Sequence, residues 1–124
     1  MDKNKEKNEA LKWAEKNLLG KLIFNKSINA NIAFDKAGIK HAICARMSPR
    51  KIAFIYDVSN LLGSAVLFDI QEDKIKRPDI KKVYKLVSYW NYQGDKIIVH
   101  IIVRLKIDGH IYYDHEVFKQ KNLV

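Results

Sequence analysis

The side chains best suited to phosphate chemistry fall close together near the C-terminus of this 124-residue chain. From Ile97 to Ile107 every second residue is apolar: Ile97, Val99, Ile101, Val103, Leu105 and Ile107. The alternate set, Ile98, His100, Ile102, Arg104 and Lys106, sets His100, Arg104 and Lys106 side by side on the other face of a strand. Their neighbours depend on the turn at Asp108-Gly109. A two-residue loop pairs Ile107 with His110, so Arg104 faces Tyr113, Ile102 faces His115 and His100 faces Val117. A three-residue loop makes Arg104 face Asp114 instead. Asp-Gly favours the two-residue form. That register sends Asp114 and Glu116 to the apolar side unless the strand bulges or ends there.

Grouped on one face, His100, Arg104, Tyr113 and His115 suit RNA cleavage without a metal. The 2′-hydroxyl attacks its own phosphodiester; a base takes its proton, an acid protonates the departing 5′-oxygen, and cations stabilise the charge on phosphorus. Histidine suits the first two tasks because it titrates near neutrality. The arginine fork grips phosphate oxygens in pairs, and tyrosine donates to a non-bridging oxygen or stacks on a base. A solvated basic sheet face has the same composition. Competing signatures are missing: the sequence has no Gly-rich phosphate loop, nucleophile elbow or HExxH. The single cysteine, Cys44, lies in the apolar run Ala42-Ile43-Cys44-Ala45 and reads as a small core residue. With no Cys/His cluster, no disulfide, metal or cofactor is expected.

Charge supports a polyanionic partner. The chain holds 23 Lys and Arg against 14 Asp and Glu, a formal net charge of +9, which favours phosphate contacts and counterion release. No apolar run approaches the ~18 residues that span a bilayer, and the charged N-terminus leads into no signal-type segment. A cytoplasmic protein with no membrane partner is the expectation.

The elements that must position these groups read as follows. Lys5 to Leu19 forms a helix with Ala10, Leu11, Ala14 and Leu18 on one stripe, Trp13 beside it and Gly20 as its cap. Leu22 to Phe34 is an early strand with a turn near Asn25 to Ser27. Asp35 caps a helix running to about Met47, weakened by Gly38 in its first turn. Ser48-Pro49 starts another helix, with Ile52, Ile55, Tyr56, Ser59, Leu62, Ala65 and Val66 along one face, ending before Gln71. Asp69 to Ile80 is a connector. Strands then follow over Val83–Tyr92, Ile97–Ile107 and Ile111–Phe118. The predicted fold is α+β, with N-terminal helices packed on a four-stranded, mostly antiparallel sheet that ends in a β-meander. One domain spans 1–124: helix to residue 20, core over 21–118, tail over 119–124.

Three stretches resemble a known family. Ala37-Gly38-Ile39-Lys40-His41-Ala42 is similar to the helix start of BECR-fold (barnase, EndoU, colicin, RelE) nuclease domains found in phage and mobile-element polyvalent proteins. Asn60-Leu61-Leu62-Gly63-Ser64-Ala65 resembles the family's middle helix. Tyr89 through Val103-Arg104, Asp108-Gly109 and Tyr112-Tyr113-Asp114-His115 resembles its meander. The resemblance implies a metal-independent endoribonuclease that leaves a 2′,3′-cyclic phosphate. His41, Arg104, Tyr113 and His115 would be catalytic, with Lys40, His100 and Lys106 binding RNA. A glutamate matching the barnase-type base is absent, which leaves a histidine as base. The implied partners are RNA, with tRNA as the analogous target, and an acidic immunity or inhibitor protein. The alternative is a catalytically inactive basic module that binds RNA or protein, from a phage-derived or toxin–immunity locus.

Overall fold

The computed structural model describes residues 3–44, 49–73 and 76–119. Helix α1 (Lys3–Asn17) is amphipathic, as its spacing requires: Ala10, Ala14 and Leu18 are buried, and Gly20 closes the helix end at φ +82°. Trp13 packs its ring on Tyr56, with centroids 4.7 Å apart. Strands β1 (Leu22–Asn25) and β2 (Ala30–Ala33) form an antiparallel hairpin where one early strand was expected. Helix α2 (Lys36–Cys44) follows, capped by Asp35, whose Oδ1 accepts the Gly38 N–H at 2.8 Å. The expectations for the Cys44 side chain, the helix end at Met47 and the Ser48 cap lie outside the described residues.

The long helix expected after Pro49 is instead two short ones and a strand: α3 (Pro49–Ile55), α4 (Val58–Leu62) and β3 (Val66–Gln71). The helical stripe through Ala65 and Val66 was coincidental. Gly63-Ser64 breaks the helix, and the β-branched and aromatic residues after it pair with the next strand. Strand β4 (Ile80–Tyr92) turns at Gln93-Gly94, both at positive φ, into β5 (Asp95–Lys106), and β6 (Ile111–Lys119) closes the meander. The sheet is therefore six-stranded rather than four-stranded, in the order β1-β2-β6-β5-β4-β3, and mixed, because β2 runs parallel to β6. The α+β class holds.

The sheet curls, bringing its two edges together. Buried Asn25 on β1 donates to the Leu62 and Ala65 carbonyls at 2.7 and 2.8 Å, and the Leu67 N–H on β3 donates to Ser27 Oγ. One face of β5 (Ile97, Val99, Ile101, Val103) joins the helices in a single core with Ile39, Ile43, Phe54 and Leu62. Among the described residues no helix is long and apolar enough to cross a membrane.

Candidate active site

The site depends on a fault in the β5–β6 ladder. Near the turn, Leu105 pairs with Ile111, Arg104 with Tyr112 and Val103 with Tyr113; beyond it, Ile102 pairs with His115 and His100 with Val117. Asp114 is the extra residue, a β-bulge. The Lys106 N–H bonds the His110 carbonyl, so the loop has three residues, Ile107-Asp108-Gly109, with Gly109 at φ +86°. The bulge then restores the register expected for a two-residue loop. The predicted pairs Ile102–His115 and His100–Val117 stand; Arg104–Tyr113 gives way to Arg104–Tyr112. The acidic pair had required such a bulge. It turns Asp114 off the apolar face, while Tyr113 and Glu116, three apart, both enter the core.

Helix α2 lies against β6 at this point. A Cβ on Gly38 would sit 1.9 Å from the Tyr113 carbonyl oxygen, so only glycine lets the helix come this close. The contact explains a glycine in the first turn of a helix and sets His41, one turn later, over the bulge.

Three side chains from two distant segments thereby meet. His41 Nδ1 lies 2.9 Å from Asp114 Oδ1, His115 Nδ1 lies 3.0 Å from Asp114 Oδ2, and the two imidazoles are 4.7 Å apart. Burial pushes the Asp114 carboxyl up, but bonds to His115 and His41 and the charge of Arg104 outweigh it and hold it far below the usual carboxylate range. An ionised carboxylate only accepts, so both Nδ1 atoms donate and each ring keeps Nε2 for a substrate.

Arg104 is buried beneath this group at 3% exposure. Its guanidinium donates to the Tyr113 carbonyl at 2.8 Å, to Asp114 at 3.3 Å, and to both oxygens of Asp35 at 2.9 and 2.8 Å. Lys106 Nζ reaches the same Asp35 at 3.0 Å. Burial pushes Asp35 up, yet the Gly38 N–H, Lys106 and Arg104 together bring it below its ordinary value. Asp35 thus caps α2 and locks that helix to β5.

Above lies a cleft of about 240 Å³ whose lining includes His41, His115, Asp114, Arg77 and Lys85. Arg77, in the connector after β3, is bound to Asp73 at 2.9 Å and stands 3.9 Å from Asp114.

Of the residues expected exposed on the histidine face, Tyr113 has left it and Arg104 is buried beneath it. Tyr113 is wholly buried in the core, its hydroxyl bonded to Glu116, because the bulge shifts it onto the helix side. Arg104 lies under the surface, held by two carboxylates. Lys40 is exposed on α2, and Lys106 is held by Asp35. His100 sits outside the cleft lining, its ring 4.7 Å from that of Phe68 on β3. Sequence reasoning missed Asp114, Asp35, Arg77 and Lys85. Asp114 had left a trace: a carboxylate on the apolar side of a strand has to be explained.

Among the described residues, His41, Asp114 and His115 also form a group able to hold a metal ion, with donor atoms all within 4.8 Å of one another. The 2.9 and 3.0 Å N–O separations are those of hydrogen bonds, and a tetrahedral ion would have to spread these donors to about 3.3 Å. The Arg104 and Arg77 guanidiniums at the same carboxylate oppose a further cation.

No curated protein and no solved structure matched the chain. A family model described as large polyvalent protein-associated domain 3 matches residues 1–113, nearly the whole chain, and the protein belongs to that family.

Proposed function

We propose that this domain is a metal-independent endoribonuclease, with the BECR-type fold and phage-derived, toxin-like setting that the sequence resemblance implies. The observation that carries this reading is the shared carboxylate. Two histidines 74 positions apart in the chain (115 against 41) donate to one buried aspartate at the floor of a cleft. Asp114 orients both rings, as the aspartate of a catalytic triad orients its histidine. One imidazole takes the 2′-hydroxyl proton while the 2′-oxygen attacks phosphorus. The P–O5′ bond breaks, and the other ring, entering as imidazolium, protonates the 5′-oxygen. The products are a 2′,3′-cyclic phosphate and a 5′-hydroxyl, so activity follows a bell-shaped pH profile.

Lys85 and Arg77, on the cleft wall, take the phosphate charge in this scheme. Arg104, with Tyr113 and Lys106, positions the site by fixing α2 and the bulge, and Lys40 and His100 bind flanking RNA. The family's name supports the polyvalent-protein association; the nuclease chemistry rests on the geometry and on the sequence resemblance.

The test is incubation of purified protein with total RNA in excess chelator, beside a His41→Ala, His115→Ala variant. Cleavage by the wild type alone supports the proposal. Intact RNA with salt-sensitive binding favours the inactive module, and intact RNA without binding removes both. A second reading has one observation in its favour, the three clustered metal-ligand donors. Cleavage that chelator abolishes and zinc or manganese restores would select it.

A further inference from the structure

Beyond the cleft, the sheet face opposite the helices is uncovered by any helix among the described residues, and its exposed residues mix aromatic and basic groups with the aliphatic Val66 and Val117. Phe68 is 46% exposed and Tyr89 57%, high for aromatic rings on a sheet with a well-filled core. Phe68 sits at the β3 irregularity between Leu67 and Asp69, which aims its ring at His100 on β5, with centroids 4.7 Å apart. Across the next strand His100 pairs with Val117, which also lines the catalytic cleft. One strand repeat further from the cleft, Ile98 pairs with Tyr89 on one side and Lys119 on the other. Lys96 Nζ lies 5.4 Å from the centre of the Tyr89 ring.

The spacing suits a chain of nucleotides. Residues 102, 100 and 98 of β5 rise by about 6.6 Å per pair, comparable with the step between phosphates in an extended strand. The Ile102–His115 pair lies at the cleft, the His100–Phe68 pair one step away and Tyr89 two steps away. Basic groups accompany the rings. Burial, and after it the charges of Lys119 and Lys85, lowers the titration of His100 from its ordinary value. Aromatic faces flanked by lysines are the usual equipment for unpaired nucleic acid, because every base has a face to stack while only the backbone needs charge. A protein partner would call for an apolar surface with little charge at its centre; here lysines stand among the rings.

We infer that the open face from His115 to Tyr89 is a binding track for single-stranded RNA, with one base stacked on the Phe68–His100 pair and the next on Tyr89. This rests on the endoribonuclease reading and adds the form of its substrate: an unpaired segment, such as a loop, a bulge or an end, laid along β5. A rigid duplex keeps its bases stacked on one another and offers none to the track.

The test uses the wild-type protein and a fluorescein-labelled, fully 2′-O-methylated 12-mer, which has no free 2′-hydroxyl and survives the proposed chemistry. Anisotropy titrations compare it with the same strand annealed to its complement and with an abasic strand of equal length. The single strand is expected to bind at least tenfold tighter than either. Phe68→Ala weakens it by about five- to 150-fold, the usual loss for one stacked base, and Phe68→Tyr restores it. Circular dichroism and melting show that the variants fold. Equal affinity for the abasic strand or the duplex, or no effect of Phe68→Ala, overturns the track. So does a dimer in sedimentation that Phe68→Ala dissolves, since the face would then cover a second copy. Because this binding needs no cleavage, failure of the nuclease reading shows separately, as intact ordinary RNA.

Discussion

Two carboxylates stand two residues apart on β6 and meet opposite fates. Asp114 lies between two histidines and two arginines, and these hold it ionised against its burial. Glu116 lies in the core at 1% exposure, bonded to the Tyr113 hydroxyl, with Lys51 Nζ 4.0 Å away and Oε1 without a hydrogen bond. Burial raises it to about 7, although Tyr113 and Lys51 pull it down. The strand supplies both groups, and the bulge decides which becomes a permanent charge and which a nearly neutral acid. A buried carboxylate orients a histidine only when enough donors surround it to keep the proton away.

The largest effect is expected at the charged member of the pair. Asp114→Asn removes the acceptor shared by both rings and leaves Arg104 short of a partner. Cleavage should fall by at least 100-fold, with a stability loss of about 3 kcal/mol in denaturant titration. An Asp114→Asn enzyme of full activity would mean that the histidines need no common carboxylate.

Gly38→Ala tests the contact that brings His41 to the bulge. The new methyl would meet a backbone carbonyl, so the helix must shift, at about 2–3 kcal/mol. Cleavage should drop more than the melting temperature alone accounts for. Arg104→Met separates scaffold from substrate contact: a large loss of stability is expected, whereas Lys85→Ala should weaken RNA binding several-fold and leave the melting temperature unchanged.

The smallest effect is expected at the buried glutamate. Glu116 is protonated in the folded state up to about pH 7, whereas the unfolded chain releases that proton near pH 4.3. Between those values the unfolded state binds fewer protons, so this group makes stability fall as pH rises, and the fall levels off above pH 7. Asp114 acts in the opposite direction: its contribution is present above pH 4 and is lost as pH falls through its depressed titration. Glu116→Gln should therefore raise the melting temperature at pH 8 by about 3–10 °C, flatten the profile between pH 4.5 and 7, and leave cleavage intact.

Much of this arrangement was legible in the residues. The alternation from Ile97 to Ile107 gave the face that bears His100 and Arg104, but the two-residue loop read from Asp108-Gly109 was wrong, and the Ile102–His115 pair it implied is reached only because the bulge offsets the longer loop. What could not be read was the bulge, because a ladder absorbs an extra residue only where tertiary partners reward it. Those partners, Asp35 and His41, lie about 70 residues upstream. The same gap explains Arg104: its place in the alternation fixes its face, but only the arrival of Asp35 and Asp114 shows that it is buried. Strand β3 was hidden for another reason. Its residues continue a helical stripe, and only pairing with β4 turned them into a strand.

Cleavage of RNA by His41 and His115 through the 2′-hydroxyl can be isolated on a DNA strand carrying one ribonucleotide. A single cut is expected, 3′ to the ribose, in the presence of chelator, with phosphorus NMR showing a 2′,3′-cyclic phosphate that the His41→Ala, His115→Ala variant does not produce. Cutting elsewhere in the strand, a 5′-phosphate product, or no cut on substrates that the protein binds would contradict it.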